Sequence, residues 1–257
     1  MKKIETIKNT STKSIELFEL VEYLDRNVDF SSTSSICAAA NEFGRLYHNK
    51  NLIKDFILDS LKNGVSQFNL GNSYTPPSLI LHNGQNYLIR ANLWRATREY
   101  GDKDINVYGL AHDHNFDFLT LNYFGPGYIS EMYTYSYTSV AGYIGEHVSL
   151  ERQGTLELTE GNMFFYRKNV DVHLQLPPES DSITINLMIK IPLYSQSKQF
   201  IFNVKKGVIS DMYGGFNSRR HVFEIAKLLN DPQCNQLLVD ILNTTSCSET
   251  KTLLEQK

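Results

Sequence analysis

The sequence predicts a mainly β protein, a sandwich or barrel with helical extensions at both ends. Three observations carry that expectation. The hydrophobic period changes near residue 66, from helical spacing to short alternating runs. Roughly ten short strand-like segments then follow at close spacing, separated by turn residues and without intervening helices. Beyond Gly214-Gly215 the helical period returns. The 15 Tyr and 14 Phe suit β-structure with a bulky interior, and many of them fall between 116 and 202.

In residues 13–29, Ile15, Phe18, Val21 and Tyr23/Leu24 stand near helical spacing. Ser31-Ser32-Thr33-Ser34-Ser35 is a polar break offering several N-caps, and residues 36–47 read as a second helix. A third, over 51–62, stops at Asn63-Gly64, a plausible C-cap. Residues 1–65 therefore form an N-terminal helical extension.

The strand-like segments are 68–70, 78–82, 86–94, 105–110, 116–124, 129–137, 142–150, 156–158, 163–167, 170–176, 182–191 and 200–204. Turn signals punctuate them at Tyr74-Thr75-Pro76-Pro77, Asn83-Gly84, Tyr100-Gly101-Asp102, Gly125-Pro126-Gly127, Glu160-Gly161-Asn162 and Pro177-Pro178. Residues 66–210 thus form the β-core. Residues 211–257 carry two helices, 220–229 and 235–242, and a polar tail. The three parts are expected to form one compact unit.

The balance of 41% hydrophobic and 21% charged residues is that of a globular chain. A net charge of -3 gives no sign of a polyanion-binding surface, so no nucleic-acid partner is expected. Cys37, Cys234 and Cys247 are far apart and odd in number, which argues for a reducing compartment. The basic start is followed by no apolar stretch of a signal peptide, and no run approaches the ~20 residues that span a bilayer. The expectation is a cytoplasmic protein without a membrane partner.

The centre of interest is Gly109-Leu110-Ala111-His112-Asp113-His114-Asn115-Phe116-Asp117-Phe118. Two histidines two apart on a strand project from one face, so both imidazoles can reach one metal ion. The bland alternative is a pair of backbone-bonded histidines at a strand end. His173, in the strand-like run 170–176, is the expected third ligand. Three imidazoles on two strands can occupy one face of an octahedron and leave the other positions open. His48, His82, His147 and His221 have no such partners and are read as structural, with His82 solvated beside its turn. HExxH, P-loop, GxGxxG and GxSxG patterns are absent.

A strand with Gly-x-x-His-x-His, a glycine turn, a hairpin and a later lone His before a proline-ended strand resembles the cupin superfamily over about residues 85–192. That resemblance implies a double-stranded β-helix, the jelly-roll barrel. Most cupins add an acidic ligand four or five residues after the second His, where this chain has Phe118 or Leu119. Three histidines without the carboxylate, and His112-Asp113-His114-Asn115 itself, are similar to the thiol dioxygenase branch, of which cysteine dioxygenase is the best known. The branch implies Fe(II) and insertion of O2 into a small amino-acid-like substrate. Tyr87-Leu88-Ile89-Arg90-Ala91-Asn92-Leu93 resembles its strand whose arginine binds the substrate carboxylate. Arg90 is thus the candidate clamp, with Arg95 and Arg98 competing for the role. A guanidinium matches a carboxylate as a two-pronged donor. The chain lacks the branch's relay histidine in 182–188 and the Pro-x-Gly turn before the last ligand.

The functional expectation is a non-haem Fe(II)-dependent oxygenase or dioxygenase, with zinc or nickel as alternative metals. Tyr123 and Tyr133, with Tyr135 beside them, are candidate catalytic donors to a bound oxygen. Asp113 and Asp171 either support the ligands or are merely exposed. The rival readings are a 2-oxoglutarate-dependent hydroxylase and a non-catalytic small-molecule or metal-binding module whose terminal helices serve dimerisation.

Overall fold

The computed structural model of the protein describes residues 6–63, 78–96, 108–192, 195–213, 216–245 and 247–255. The segments expected at 68–70 and 105–107, the turns at 74–77 and 100–102, Gly64, Arg98 and Gly214-Gly215 lie outside the described residues.

Among the described residues four α-helices come first: α1 (Leu17–Asn27), α2 (Thr33–Ala38), α3 (Ala40–Gly44) and α4 (Leu52–Lys62). The described strands follow: β1 (Ser78–Asn83), β2 (Tyr87–Trp94), β3 (Ala111–His112), β4 (Phe118–Phe124), β5 (Ile129–Thr134), β6 (Glu151–Glu157), β7 (Met163–Tyr166), β8 (Asp171–Leu176), β9 (Ser182–Ile189), β10 (Phe200–Asn203) and β11 (Val208–Met212). Helices α5 (Phe216–Leu229), α6 (Pro232–Thr244) and α7 (Ser248–Glu255) close the chain.

The strands make two antiparallel sheets, one in the order β1-β2-β9-β4-β7 and the other β11-β10-β3-β8-β5-β6. From β2 to β9 the chain alternates between the sheets on either side of the β5–β6 hairpin. Strands β2-β9-β4-β7 in one sheet and β3-β8-β5-β6 in the other are the arrangement of a jelly roll, to which β1 and the β10–β11 hairpin add edges. The fold is therefore mainly β, a jelly-roll barrel with helical extensions at both ends.

Alternation along the strands sorts the side chains into layers. On the first sheet, Tyr87, Ile89, Leu119, Leu121, Ile185 and Leu187 point outward and pack against Leu20, Leu24, Phe43 and Leu46 of the N-terminal region. Their neighbours Leu88, Trp94, Phe118, Tyr166 and Met188 point inward, meeting Tyr128 and Met132 from the other sheet. Burial on both faces explains why these strands read as nearly continuous apolar runs. A third cluster, Ala111, Tyr135, Val172, Phe200, Phe202 and Ile209, lies outside the second sheet.

Local chemistry fixes several boundaries. Glu19 accepts the backbone N–H of Glu16 at 2.9 Å and closes the first turn of α1. Asp231 accepts the N–H groups of Gln233 and Cys234, and Pro232 opens α6. Gly127 adopts φ +79°, and a Cβ there would stand 1.8 Å from the carbonyl oxygen of Leu158, so only glycine fits the turn into β5.

Several expectations need correcting. Residues 142–150 form no strand: Tyr137–Ser139 is a short 3-10 turn, and Gly142 and Gly145 take positive φ. The strand lies later, at β6, where Glu151-Arg152-Gln153-Gly154-Thr155 is too polar to show the pattern of a buried strand. Strand β11 is an additional edge. The polar tail holds α7. No described helix is long and apolar enough to cross a membrane.

Candidate metal centre

His112 ends β3, and its neighbour in register on β8 is His173. His114 lies beyond the strand, because β3 stops at His112 and the chain bends at Asn115-Phe116 before β4 begins. The two-residue spacing nevertheless turns both imidazoles inward. Nε2 of His173 lies 3.1 Å from Nε2 of His112 and 3.0 Å from Nε2 of His114. Among the described residues this is the one group of three or more His, Cys, Asp or Glu side chains placed to hold a metal ion.

The distances test that fit. Two nitrogens bound at right angles to an ion about 2.1 Å away stand about 3 Å apart, whereas tetrahedral angles put them near ~3.4 Å. The two observed separations are short enough for one ion to meet all three imidazoles.

Protonation points the same way. His112 donates its Nδ1–H to the carbonyl oxygen of Leu110 at 2.9 Å, which leaves a lone pair on Nε2. Burial pushes the His112 pKa down to about 4, and the charge of Arg90 adds to the effect. Burial, then the neighbouring imidazoles, hold His114 and His173 well below the usual histidine range. All three are neutral at neutral pH, the form that binds metal. The carboxamide of Gln199 lies 3.4 Å from Nδ1 of His114. Nδ1 of His173 is buried and makes no hydrogen bond among the described residues.

Asp113, between the two ligands, is fully buried, which overturns the exposed reading. Its carboxylate accepts the backbone N–H of Phe200 at 2.6 Å and the hydroxyl of Tyr135 at 2.5 Å. Burial pushes its pKa up to about 7 against those two hydrogen bonds. The contact pins the segment between the ligands to β10. Asp171 is also buried, bound to Arg167 through Nε at 2.9 Å and a terminal nitrogen at 2.5 Å.

Aromatic rings wall the site. Phe118 sets its ring edge-on to His114, centroids 4.8 Å apart. Tyr166 stacks on Phe118 and meets His173 at 4.6 Å. Tyr213 stands 6.4 Å from His112. Tyr166 and Tyr213 were not singled out from the sequence, and neither spacing nor a motif marks them.

The remaining site expectations divide. Arg90 has the inward parity of Leu88 on β2, and its charge reaches His112 and His114. Arg95, beyond the end of β2, is more than half exposed and pairs with Asp181 at 3.3 Å, away from the histidines. Tyr123 has the opposite parity to Phe118; it packs against the N-terminal helices and donates to the carbonyl oxygen of Asn49 at 2.6 Å. Tyr133 points away from the barrel and donates to Glu131 at 2.9 Å. Neither tyrosine reaches the centre, because each is one residue out of phase with the inward face. His82 is half-buried against Tyr87, not solvated, and burial lowers its pKa.

No protein-family model and no curated protein matches the chain. Solved structures are similar at low identity. A hydroquinone 1,2-dioxygenase in complex with Cd2+ and 4-hydroxybenzonitrile is 11% identical over 49% of this chain and 71% of its own, with a TM-score of 0.31. A salicylate 1,2-dioxygenase from Pseudaminobacter salicylatoxidans is 15% identical over 52% of this chain and 33% of its own, with a TM-score of 0.30. A prolyl-4-hydroxylase from Pseudomonas putida is 13% identical over 53% of this chain and 62% of its own, with a TM-score of 0.24. Likeness at this distance says nothing of substrate or reaction.

Proposed function

We propose that the protein is a metal-dependent oxygenase whose metal, Fe(II) in this reading with zinc or nickel as alternatives, is held by His112, His114 and His173. The observation that carries this reading is the convergence of three buried, neutral imidazoles with Nε2 atoms 3.0 and 3.1 Å apart. The three imidazoles would hold the ion through nitrogen alone and would leave room on it for substrate and O2. Iron bound there supplies the one-electron chemistry that lets dioxygen react with an organic molecule.

The chain's own residues do the rest. The Leu110 carbonyl fixes the tautomer of His112, and Asp113 fixes the backbone between two ligands. Phe116, Phe118 and Tyr166 surround the imidazoles with rings and exclude water. Arg90 holds a positive charge beside them, suited to orienting the carboxylate of a small substrate of amino-acid size. Among the described residues no carboxylate joins the three histidines, which disfavours a 2-oxoglutarate enzyme of the usual His-x-Asp/Glu type.

The test is metal analysis of protein purified anaerobically, alongside a His112→Ala, His114→Ala double variant, with oxygen uptake followed with and without 2-oxoglutarate. About one iron in the wild type and none in the variant is the expected result. Equal metal in both would remove the site, and strict 2-oxoglutarate dependence would replace this reading with a hydroxylase.

A further inference from the structure

An imidazole that binds an ion through Nε2 keeps its ring proton on Nδ1 and needs an acceptor for it. His112 has the Leu110 carbonyl at 2.9 Å, and Nδ1 of His114 faces the carboxamide of Gln199 at 3.4 Å. His173 is the exception. The residue is 1% exposed, and its Nδ1 meets no hydrogen-bond partner among the described residues.

The neighbours of that ring narrow the choice. Met132 faces His173 in register from β5, and its thioether is a weak acceptor. Asp171, two residues back on the same face of β8, already accepts three bonds from Arg167. Gln175, two residues on, is 4% exposed, and its amide oxygen also lacks a partner among the described residues. The same holds for two more buried oxygens that adjoin it. Ser130 stands opposite Gln175 in register, and the Tyr166 ring lies 4.6 Å from that of His173. Buried polar atoms are rarely left so, and four on adjoining inward positions call for one shared partner.

Hydrogen-bond roles identify that partner. With an ion on Nε2, Nδ1–H of His173 only donates; the Gln175 oxygen only accepts, and each hydroxyl does either. Same-face neighbours on a strand stand about 6.7 Å apart, a gap that one water bonded on either side closes. Such a water accepts from His173 and from one hydroxyl, and donates to Gln175 and to the other hydroxyl. No orphan is left over, and a buried water commonly holds about three such bonds. We infer that Gln175 is the positioning residue of His173: through a single enclosed water shared with Ser130 and Tyr166, it holds the ring proton on Nδ1 and leaves Nε2 to the ion. The inference rests on the metal reading and supplies the third ligand with its support.

Zinc, which is redox-inert, is the probe. Its affinity is measured by competition with a chromogenic chelator, and the ring N–H groups by NMR of the zinc-loaded protein. Gln175→Leu removes the acceptor at nearly constant volume. It is expected to weaken zinc about 10–100-fold and to shift the His173 Nδ1–H resonance, leaving that of His112 in place. The Tm of the chelator-treated variant is expected to equal or exceed that of the wild type, since a buried orphan oxygen is gone. Gln175→Glu restores an acceptor and should recover most of the affinity. Ser130→Ala with Tyr166→Phe strips the water of two partners and should weaken zinc about three- to tenfold. The inference is overturned if Gln175→Leu binds zinc within about twofold of the wild type, or if the His173 resonance does not move. It is also overturned if affinity and the chelator-treated Tm fall together and Gln175→Glu restores neither, for then Gln175 only packs. Should Gln175→Leu not fold, the double variant decides, and wild-type affinity there overturns the inference. A wild type that binds no zinc removes the metal reading and this inference with it. Equal binding by wild type and Gln175→Leu removes only the role of Gln175.

Discussion

His112 and His173 face each other across the β3–β8 pair with Nε2 atoms 3.1 Å apart. Because His112 spends its one ring proton on Leu110, its Nε2 offers only a lone pair. A second and a third imidazole at that distance need a proton or a cation between them. Metal is therefore expected to stabilise the fold. At about 100 times its Kd it contributes about 2.7 kcal/mol, or roughly 5–10 °C in Tm for a chain of this size. Differential scanning fluorimetry with Fe(II) or Zn(II) measures the shift. His173→Ala is expected to abolish it, and a shift that survives the substitution would place the metal elsewhere.

Acidification acts on the same three rings. The folded pKa of His112 is about 4 and those of His114 and His173 are also depressed, while the unfolded value is near the ordinary 6.5. Between those values the unfolded chain binds more protons, so stability falls as pH drops from 6.5 towards 4. Asp113 works in the opposite sense, since its folded pKa of about 7 lies above its ordinary value. One group against three leaves a net loss. The Tm of chelator-treated protein is expected to fall steadily from pH 7 to 4.5, more steeply than that of a variant with all three histidines replaced by glutamine. Equal slopes would mean the histidines are not buried neutral.

Asp113 tests how far the ligand-bearing segment depends on its anchor. Asp113→Ala leaves the N–H of Phe200 and the hydroxyl of Tyr135 buried without a partner. The expected cost is about 2–4 kcal/mol in urea unfolding, together with a ~10–100-fold weaker metal affinity. Asp113→Asn, which keeps the acceptor oxygen, should recover part of both. Unchanged metal affinity in the alanine variant would show that the segment holds its shape without the anchor.

How much of this was legible in the chain follows from parity. The two-residue spacing of His112 and His114 turned both inward even though only His112 lies on a strand. The strands β2, β4 and β9 were readable because helices cover one face and the opposite sheet the other, and β8 because the outer cluster around Val172 covers its second face. Only the end of edge strand β6 was read, at 156–158, since solvent tolerates the glutamate and arginine of its first half. Tyr123 and Tyr133 misled because aromatic residues near a site look functional, while their phase relative to Phe118 and Met132 sends them outward. Ser130 and Gln175 did carry a signal: each is polar at an inward position of a buried strand. Their meeting with Tyr166 depends on the pairing of β5 with β8 and on β7 reaching His173, which no local pattern encodes.

Tyr123 offers a control for the outward assignment. Tyr123→Phe removes only the hydroxyl, with its bond to the Asn49 carbonyl and its backbone contacts at Leu52 and Ile53. The expected loss is about 1 kcal/mol of stability, with metal content and oxygen consumption unaltered. A selective loss of turnover at unchanged stability would return this residue to the reaction.

Arg167 and Asp171 supply the last test, because their pair stands two residues before His173. Asp171 is fully buried and accepts from the backbone N–H, Nε and a terminal nitrogen of Arg167. Hydrogen bonding to that carboxylate holds the Arg167 pKa above its usual value, against partial burial. Arg167→Ala leaves a buried carboxylate without its counter-charge, for which the expected cost is about 3–5 kcal/mol. Arg167→Ala with Asp171→Asn removes the charge as well, and should regain about half of that loss. Chemical unfolding of the two variants measures the difference. If the double variant is no more stable than the single one, the guanidinium serves packing and not charge. If the single variant costs under about 1 kcal/mol, the pair behaves like an exposed one and Asp171 is reached by water.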